Sequence, residues 1–142
     1  MANEPNRVYG LSTNLFVSRK AGGEAIVIGG VTENNLRWTR VLAKRAAQML
    51  WFFLTRYLFP EKSDMVTGLA STAPMRAANL PTITSHMSVE KQDNIYKITG
   101  TIGEQTWDMR LSEFEANRLW MALDIALYPV GWKGEDEERA PS

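Results

Sequence analysis

An internal repeat at an offset of 69 residues constrains the fold of this chain more than any other feature. Residues 38–60 align with residues 107–129 without a gap, and eight of the 23 positions are identical, where ordinary residue frequencies give about one or two. A long unit present twice indicates two copies of one supersecondary structure, because a solenoid needs about three or more. The identical pairs are Trp38/Trp107, Leu42/Leu111, Ala47/Ala116, Leu50/Leu119, Trp51/Trp120, Leu54/Leu123, Leu58/Leu127 and Pro60/Pro129.

In the second copy the hydrophobic period changes from two to 3.6. Residues 95–102 and 107–111 alternate between apolar and polar side chains, and the short connection 103–105 predicts that they form a hairpin. Residues 86–90 predict a third strand. Ser112 and Glu115 have the spacing of a capping box, which predicts a helix over 113–127 that ends before Pro129.

The first copy has the same pattern. It predicts strands at about 11–19, 25–31 and 36–42 and a helix at about 43–59. We therefore expect an α+β fold, a tandem duplication of a βββα unit with a largely antiparallel sheet and two long helices. The expected organisation is one domain over residues 1–142, with repeat one at 9–60, a linker at 61–81, repeat two at 82–132 and an acidic tail at 133–142.

Composition excludes several kinds of site. The chain has no cysteine and one histidine, which excludes disulfides, thiolate zinc sites, a cysteine nucleophile and a histidine-rich metal centre. No phosphate loop or nucleophile motif is present. Glu113 and Glu115 are adjacent acids, but a helix start favours acids for capping and dipole reasons. We expect a non-enzymatic protein without a cofactor or metal.

Charge is divided unevenly along a neutral chain. Residues 1–60 carry eight Lys/Arg and three acids, and residues 61–142 carry eight Lys/Arg and thirteen acids. The two parts therefore have net charges of +5 and −5, which indicates a side that faces a polyanion or parts that attract each other in an assembly.

No targeting or membrane segment is evident in the sequence. Residues 1–9 are polar, and the most apolar run, 46–59, contains Arg56 and is shorter than the roughly 20 residues of a membrane-spanning helix. We therefore expect no membrane insertion and a cytoplasmic or other intracellular location.

The first helix is apolar on nearly all sides. Met49, Phe53 and Tyr57 lie on one stripe, and Trp51 and Leu54 lie on another. Covering both stripes in a small domain requires a second subunit, so we expect a homo-oligomer with this helix near the interface. An apolar run at 26–28, before two glycines at 29–30, predicts a central or interface strand with a bulge or a close backbone approach.

This arrangement resembles the whirly and PUR families of single-stranded nucleic-acid-binding proteins, which are built from duplicated sheet-plus-helix repeats. The resemblance lies in residues 9–132. Leu36-Arg37-Trp38-Thr39 is similar to the tryptophan-bearing strand that leads into the first whirly helix, and Pro129-Val130-Gly131-Trp132 is similar to the end of the second. Whirly proteins also carry a lysine-rich motif on an early strand. The corresponding residues of this chain, 9–17, contain no lysine. The resemblance implies single-stranded DNA or RNA as the partner.

Binding of single strands needs cations for phosphates and exposed aromatic rings for bases. The alternation places Lys97 and Arg110 on the outer sheet face, and Arg37 has the same outward phase. The paired tryptophans share the phase of core residues, so we expect them in the core, and His86 on the surface. The predicted nucleic-acid-binding residues are Tyr9, Phe16, Arg19, Lys20, Arg37, Lys44, Arg45, Lys97 and Arg110.

A second hypothesis is a protein-binding assembly or scaffold factor that acts through apolar helix and sheet surfaces. Neutral charge favours it, because dedicated nucleic-acid-binding domains are usually basic. A continuous positive groove would support nucleic-acid binding, whereas an apolar patch of several hundred Å² would support assembly.

Overall fold

A computed structural model describes residues 8–62 and 83–128 of the chain. The fold is α+β. Three strands and a helix come first, namely β1 (Val8–Lys20), β2 (Ala25–Thr32), β3 (Arg37–Ala43) and α1 (Lys44–Leu58). Four strands and a helix follow, namely β4 (Ile83–Thr84), β5 (His86–Gln92), β6 (Ile95–Ile102), β7 (Gln105–Ser112) and α2 (Glu113–Leu127). Short 3-10 turns lie at Ala21–Gly23 and Pro60–Lys62.

The predicted elements are present, and β6 and α2 begin and end where the sequence predicts. The other strands and α1 differ from prediction by three residues or fewer at each end. The two-residue strand β4 was not predicted, because it is too short to show alternation. The predicted linker beyond Lys62 and the predicted acidic tail lie outside the described residues.

The sheet is mixed, so the prediction of a largely antiparallel sheet is not confirmed in full. The strand order is β4-β3-β2-β1-β7-β6-β5. β1 pairs with β7 in parallel, with Leu11 opposite Arg110, and β3 pairs with β4 in parallel, with Leu42 opposite Thr84. The other four pairings are antiparallel. Hairpin signals predict pairing between consecutive strands, but β1 and β7 are far apart in sequence and carry no such signal.

The chain joins the two ends of this strand order. β4 pairs with β3 and β5 pairs with β6, yet only Ser85 separates β4 from β5. The Ser85 backbone N–H donates a hydrogen bond to the Thr101 carbonyl oxygen on β6 (2.9 Å). The sheet therefore curls back on itself, and it has an inner face and an outer face.

Two tryptophans meet across the inner face. The rings of Trp38 on β3 and Trp107 on β7 have centroids 5.8 Å apart, although two other strands separate β3 from β7. The Trp38 indole N–H donates to Ser12 Oγ and the Trp107 indole N–H donates to Thr84 Oγ1, each at 3.0 Å. Both tryptophans are buried, as predicted. Curling of the sheet is what brings these rings into contact.

Both helices pack against the inner face, α1 on β5 and α2 on β1, and they pack against each other. The Trp51 indole N–H donates to Asp124 Oδ1 (3.0 Å), and the Trp120 indole N–H donates to Thr55 Oγ1 (2.7 Å). Each acceptor lies four residues after the tryptophan of its own helix. The two bonds are therefore reciprocal, and they confirm the prediction that these tryptophans lie in the core.

Residues that follow the helices extend this reciprocity. The Tyr128 ring lies 4.9 Å from the Trp51 ring, and the Phe59 ring lies 4.7 Å from the Trp120 ring. The Gln48 side-chain amide donates to the Tyr128 hydroxyl (3.0 Å). Each helix end thus covers the tryptophan of the other helix.

The helix α1 is partly covered by its own chain. Its buried face includes Leu50, Trp51 and Leu54, while Phe52 and Phe53 on the opposite side are half-buried and Tyr57 is exposed. One chain does not test the predicted homo-oligomer, which stays a prediction. In the two described ranges, no helix has the length and apolar character that a membrane span requires.

The Trp107 indole can lie against strand β6 because β6 has a glycine, Gly100, at the position opposite Trp107. Gly100 pairs with Trp107 across β6 and β7, and a Cβ at this position would lie 2.5 Å from the indole ring. We expect Gly100→Ala to lower the free energy of unfolding by about 1–3 kcal/mol, because the buried ring has to shift. Chemical denaturation measures this change.

Gly103 provides the control for this variant. Its φ of 58° is one that asparagine also adopts, and no atom lies within 4 Å of a Cβ placed there. Gly103→Asn should therefore keep the stability of the wild type to within about 0.5 kcal/mol. Equal stability of Gly100→Ala and the wild type would contradict the described packing of Trp107.

Partial burial raises the pKa of Asp124, against the smaller opposing effects of the Trp51 hydrogen bond and the Lys62 charge. A carboxyl whose pKa is raised on folding stabilises the fold most below its unfolded pKa of about 3.9, and this contribution is lost as pH rises through the folded pKa. We expect Asp124→Asn, which keeps an oxygen acceptor for Trp51, to gain stability relative to the wild type as pH rises from about 3.5 to 7.

Asp124→Ala is the matched variant that removes the acceptor. It should lower the free energy of unfolding by about 1–3 kcal/mol at neutral pH, because the Trp51 indole N–H loses its partner. Denaturation of the three proteins across pH measures both effects. A constant difference between the wild type and Asp124→Asn over this range would contradict the raised pKa.

Candidate functional site

The outer face of the sheet carries four of the predicted binding residues. Phe16 lies on β1, Arg37 at the start of β3, and Lys97 and Arg110 opposite each other on β6 and β7. Phe16, Arg37 and Arg110 are exposed, and Lys97 is half-exposed. These residues alternate with buried ones, for example Trp38 after Arg37, which is why the strands present them to solvent.

A groove on this face joins the predicted stacking residue to a predicted cation. Phe16 and Arg37 both line it, and its volume is about 390 Å³. Phe16 is 45% exposed. The register pairs Phe16 with Gly29 and Gly29 with Thr39, two residues beyond Arg37. At about 4.8 Å between strands and 3.3 Å per residue, the Phe16 and Arg37 Cα atoms lie about 12 Å apart. The groove is lined by Asn14, Phe16, Gly30, Val31, Arg37, Trp38 and Thr39.

The position of the Phe16 ring depends on Gly29. A Cβ at Gly29 would lie 2.5 Å from the ring and 2.7 Å from the Trp38 carbonyl oxygen. The β1–β2 register shifts between Thr13 and Phe16, and Asn14 has a φ of 53°. The predicted close backbone approach is thus confirmed at the glycine pair, and the irregularity lies on the neighbouring strand β1.

Lys97 and Arg110 have a different electrostatic setting. The Lys97 ammonium lies 3.9 Å from Asp108 Oδ2, and Glu90 on β5 lies opposite Lys97. Arg110 lies opposite Leu11 on β1, toward the end of the sheet that carries Arg37. Arg37 and Arg110 are therefore exposed cations at this end of the sheet, where Glu33 lies near Gly10 and Asp108 lies two residues before Arg110 on the same face of β7. Glu90 and Asp108 flank Lys97.

The other predicted cations lie at the opposite end of β3. Lys20 pairs with Ala25, which pairs with Ala43, the residue before Lys44 and Arg45. The Arg19 guanidinium donates to the Gly22 carbonyl oxygen (3.3 Å). Six residues of strand, about 20 Å, separate this end from Arg37. The structure therefore divides the predicted set into two groups. Tyr9 belongs to β1, but its side chain lies outside the described residues.

Two polar groove residues were not predicted as site residues. Asn14 and Thr39 line the groove beside Phe16 and Arg37. Thr39 follows the buried Trp38 and therefore points outward, so the alternation in β3 alone predicts that Thr39 lies on the outer face. Asn14 depends on the irregularity in β1, which the polar sequence around it does not reveal.

Within the described ranges, no group of three His, Cys, Asp or Glu residues could hold a metal ion. Burial raises the pKa of Tyr96, of Asp124 and of Tyr128. All three lie in the core or between the helices, away from the outer face. His86 is exposed, as predicted, and its Nδ1 lies 3.0 Å from Ser85 Oγ.

A second groove lies between α1 and β5. Its volume is about 320 Å³, and it is lined by Phe53, Arg56, Tyr57 and Val89. The Tyr57 ring meets the buried Tyr96 ring edge-on at 5.9 Å. None of these residues belongs to the outer face.

No protein-family model matches this chain, and no curated protein matches it either.

Proposed function

We propose that this protein binds single-stranded DNA or RNA without catalysing a reaction, through the outer face of its sheet. One observation carries the proposal, namely that an exposed aromatic ring, Phe16, and an exposed guanidinium, Arg37, line the same groove. Any of the bases can stack on an aromatic ring, whatever the nucleotide sequence, and the phosphates of the strand require cations. The groove offers both groups within the span of one or two nucleotides.

Arg110 extends the positive part of this surface. In the strand register, Leu11 on β1 lies opposite Arg110 on β7. Two residues further along β1, Thr13 pairs with Val31 on β2, and Val31 pairs with Arg37 on β3. A single strand of DNA or RNA that follows the outer face from Arg37 would pass Arg110 and then reach Lys97. There, Asp108 and Glu90 would repel its phosphates. Binding is therefore concentrated on β1, β3 and β7, in keeping with the positive charge of residues 1–60.

The proposal includes a duplicated origin of the chain. Trp38 and Trp107, which align in the sequence repeat, each lie against a glycine of the neighbouring strand and donate to a side-chain hydroxyl, that of Ser12 on β1 and that of Thr84 on β4. Trp51 and Trp120 make reciprocal bonds. These observations support a tandem βββα unit and the resemblance to whirly and PUR proteins. An intracellular location remains part of the same proposal.

Fluorescence anisotropy with labelled mixed-sequence single-stranded DNA and RNA tests this function. We expect micromolar or tighter binding at about 50 mM salt and a steep loss of affinity at about 200 mM, because phosphate contacts release counterions. Phe16→Ala should weaken binding by about 1–3 kcal/mol, or roughly 5- to 150-fold. Arg37→Gln should lower the slope of log affinity against log salt by about one.

Matched variants elsewhere on the chain control for general effects. Tyr57 on α1 is 42% exposed, close to the exposure of Phe16, and Arg56 is also exposed. Tyr57→Ala and Arg56→Gln should bind like the wild type. Absence of binding at low salt, or equal losses in the groove and control variants, would reject the proposal.

The second candidate function is a protein-binding assembly or scaffold factor. Large apolar side chains on α2, Phe114, Met121 and Ile125, are exposed and support it. Loss of nucleic-acid binding in the first experiment together with self-association or partner binding through α2 would favour this function.

A further inference from the structure

The solvent-facing side of α2 carries a row of large apolar side chains. Phe114 is 66% exposed, Met121 54% and Ile125 66%. Among the described residues these three are half of the exposed large hydrophobic side chains. The opposite side of α2, with Leu119, Trp120 and Leu123, already fills the core. Residues 8–62 and 83–128 of one chain therefore do not account for the exposed row.

The row has the spacing of a helix–helix seam. Phe114, Arg118, Met121 and Ile125, here named the α2 stripe, follow one another at intervals of four, three and four residues. A coiled-coil seam has the same alternation. At the repeat offset, α1 holds Arg45, Met49, Phe52 and Arg56 where α2 holds Phe114, Arg118, Met121 and Ile125. The two ends of the stripe are therefore apolar in α2 and charged in α1.

We propose that the α2 stripe is the contact surface between two copies of this chain, which pair antiparallel along α2 about a two-fold axis.

A second copy is the occupant that the stripe fits. A two-fold axis between positions 118 and 121 places Phe114 of one copy against Ile125 of the other, and Arg118 against Met121. The surface is then complementary to itself, as a symmetric dimer requires. The partner supplies the same apolar row that the surface presents, so no other chemistry is needed to cover it.

Arg118 favours the antiparallel orientation, in which the two Arg118 residues are offset by three residues, about 4.5 Å along the helix axis, and are not directly opposite each other. Its guanidinium lies 5.8 Å from the Phe114 ring and is exposed. In a parallel pair the two Arg118 side chains would face each other at the seam, and like charges there are unfavourable. In the antiparallel pair each lies beside Met121 of the second copy. Antiparallel helix dipoles also attract each other.

The area of the stripe sets the strength of the contact. Three such side chains expose on the order of 300 Å² of apolar surface, which is comparable to the largest patch on a typical monomer. Two copies together would bury about 600 Å², roughly half of what a stable interface buries. The dimer is therefore weak and reversible, and its population rises with protein concentration.

Sedimentation velocity of the full chain over about 1–300 μM tests this proposal. We expect the mean sedimentation coefficient of the wild type to rise with concentration and to keep rising in about 0.5 M salt, because the contact is apolar. Met121→Glu and Ile125→Glu should stay monomeric throughout, with unchanged melting temperatures because both side chains are exposed. Leu36→Glu, at a position that is 51% exposed on another part of the chain, should dimerise like the wild type.

Engineered cysteines test the orientation, since the chain has no cysteine of its own. A mixture of Phe114→Cys and Ile125→Cys proteins should form a mixed disulfide readily, because the antiparallel pair brings these positions together. Each variant alone should cross-link slowly. Faster cross-linking of each variant with itself would reject the antiparallel arrangement.

Three other outcomes would overturn the proposal. A wild type that stays monomeric at about 300 μM would mean that the stripe is covered by residues 129–142 or by a different protein. Dimerisation that survives Met121→Glu but is lost in Phe53→Glu would place the interface on α1. Dimerisation that disappears in high salt would indicate attraction between the oppositely charged parts of the chain.

Discussion

The contact between Trp38 and Trp107 is the interaction on which the rest of the structure depends. Two strands lie between β3 and β7 in the sheet, so their side chains meet only if the sheet curls. The indole N–H groups fix this curvature, because each must find an acceptor once it is buried. Ser12 and Thr84 supply the two hydroxyls. With the inner face closed in this way, Arg37, Lys97 and Arg110 lie on the outer face, whereas Arg40 on β3 is buried with its guanidinium 5.5 Å from the centroid of the Trp107 ring.

The helices satisfy their buried indoles in the same manner. Trp51 and Trp120 each donate to a side chain of the other helix, and the acceptors differ, a carboxylate in Asp124 and a hydroxyl in Thr55. The Thr55 hydroxyl also donates to the Trp51 carbonyl oxygen (2.7 Å), so it acts both as a donor and as an acceptor. Asp124 instead brings a charge into a half-buried position, and its raised pKa is the consequence. One side of a nearly symmetric interface therefore responds to pH and the other does not.

The sequence predicts local structure better than it predicts pairing between distant strands. Alternation defines both ends of β6. The Ser112–Glu115 capping box defines the start of α2 and Pro129 its end, and the Ser112 hydroxyl does accept from the Glu115 N–H (3.2 Å). The β1–β7 pairing leaves no local signal, because neither strand is joined to the other by a turn. The same limit applies to the candidate site. Outward phase places Arg37 and Phe16 on one face, but only the register through Gly29 brings them to one groove.

Under the proposed duplication, the two copies have kept their cores and differ on their surfaces. Identical residues of the repeat include Leu50/Leu119 and Leu54/Leu123, all fully buried, where a change of volume is costly. The surface positions have diverged: Arg45 and Arg56 on α1 align with Phe114 and Ile125 on α2, so two charged positions in one copy are apolar in the other. A surface free of packing constraints can acquire a separate role in each copy. The proposed single-strand-binding face of the sheet and the proposed self-association surface on α2 are two such roles, and neither requires the other.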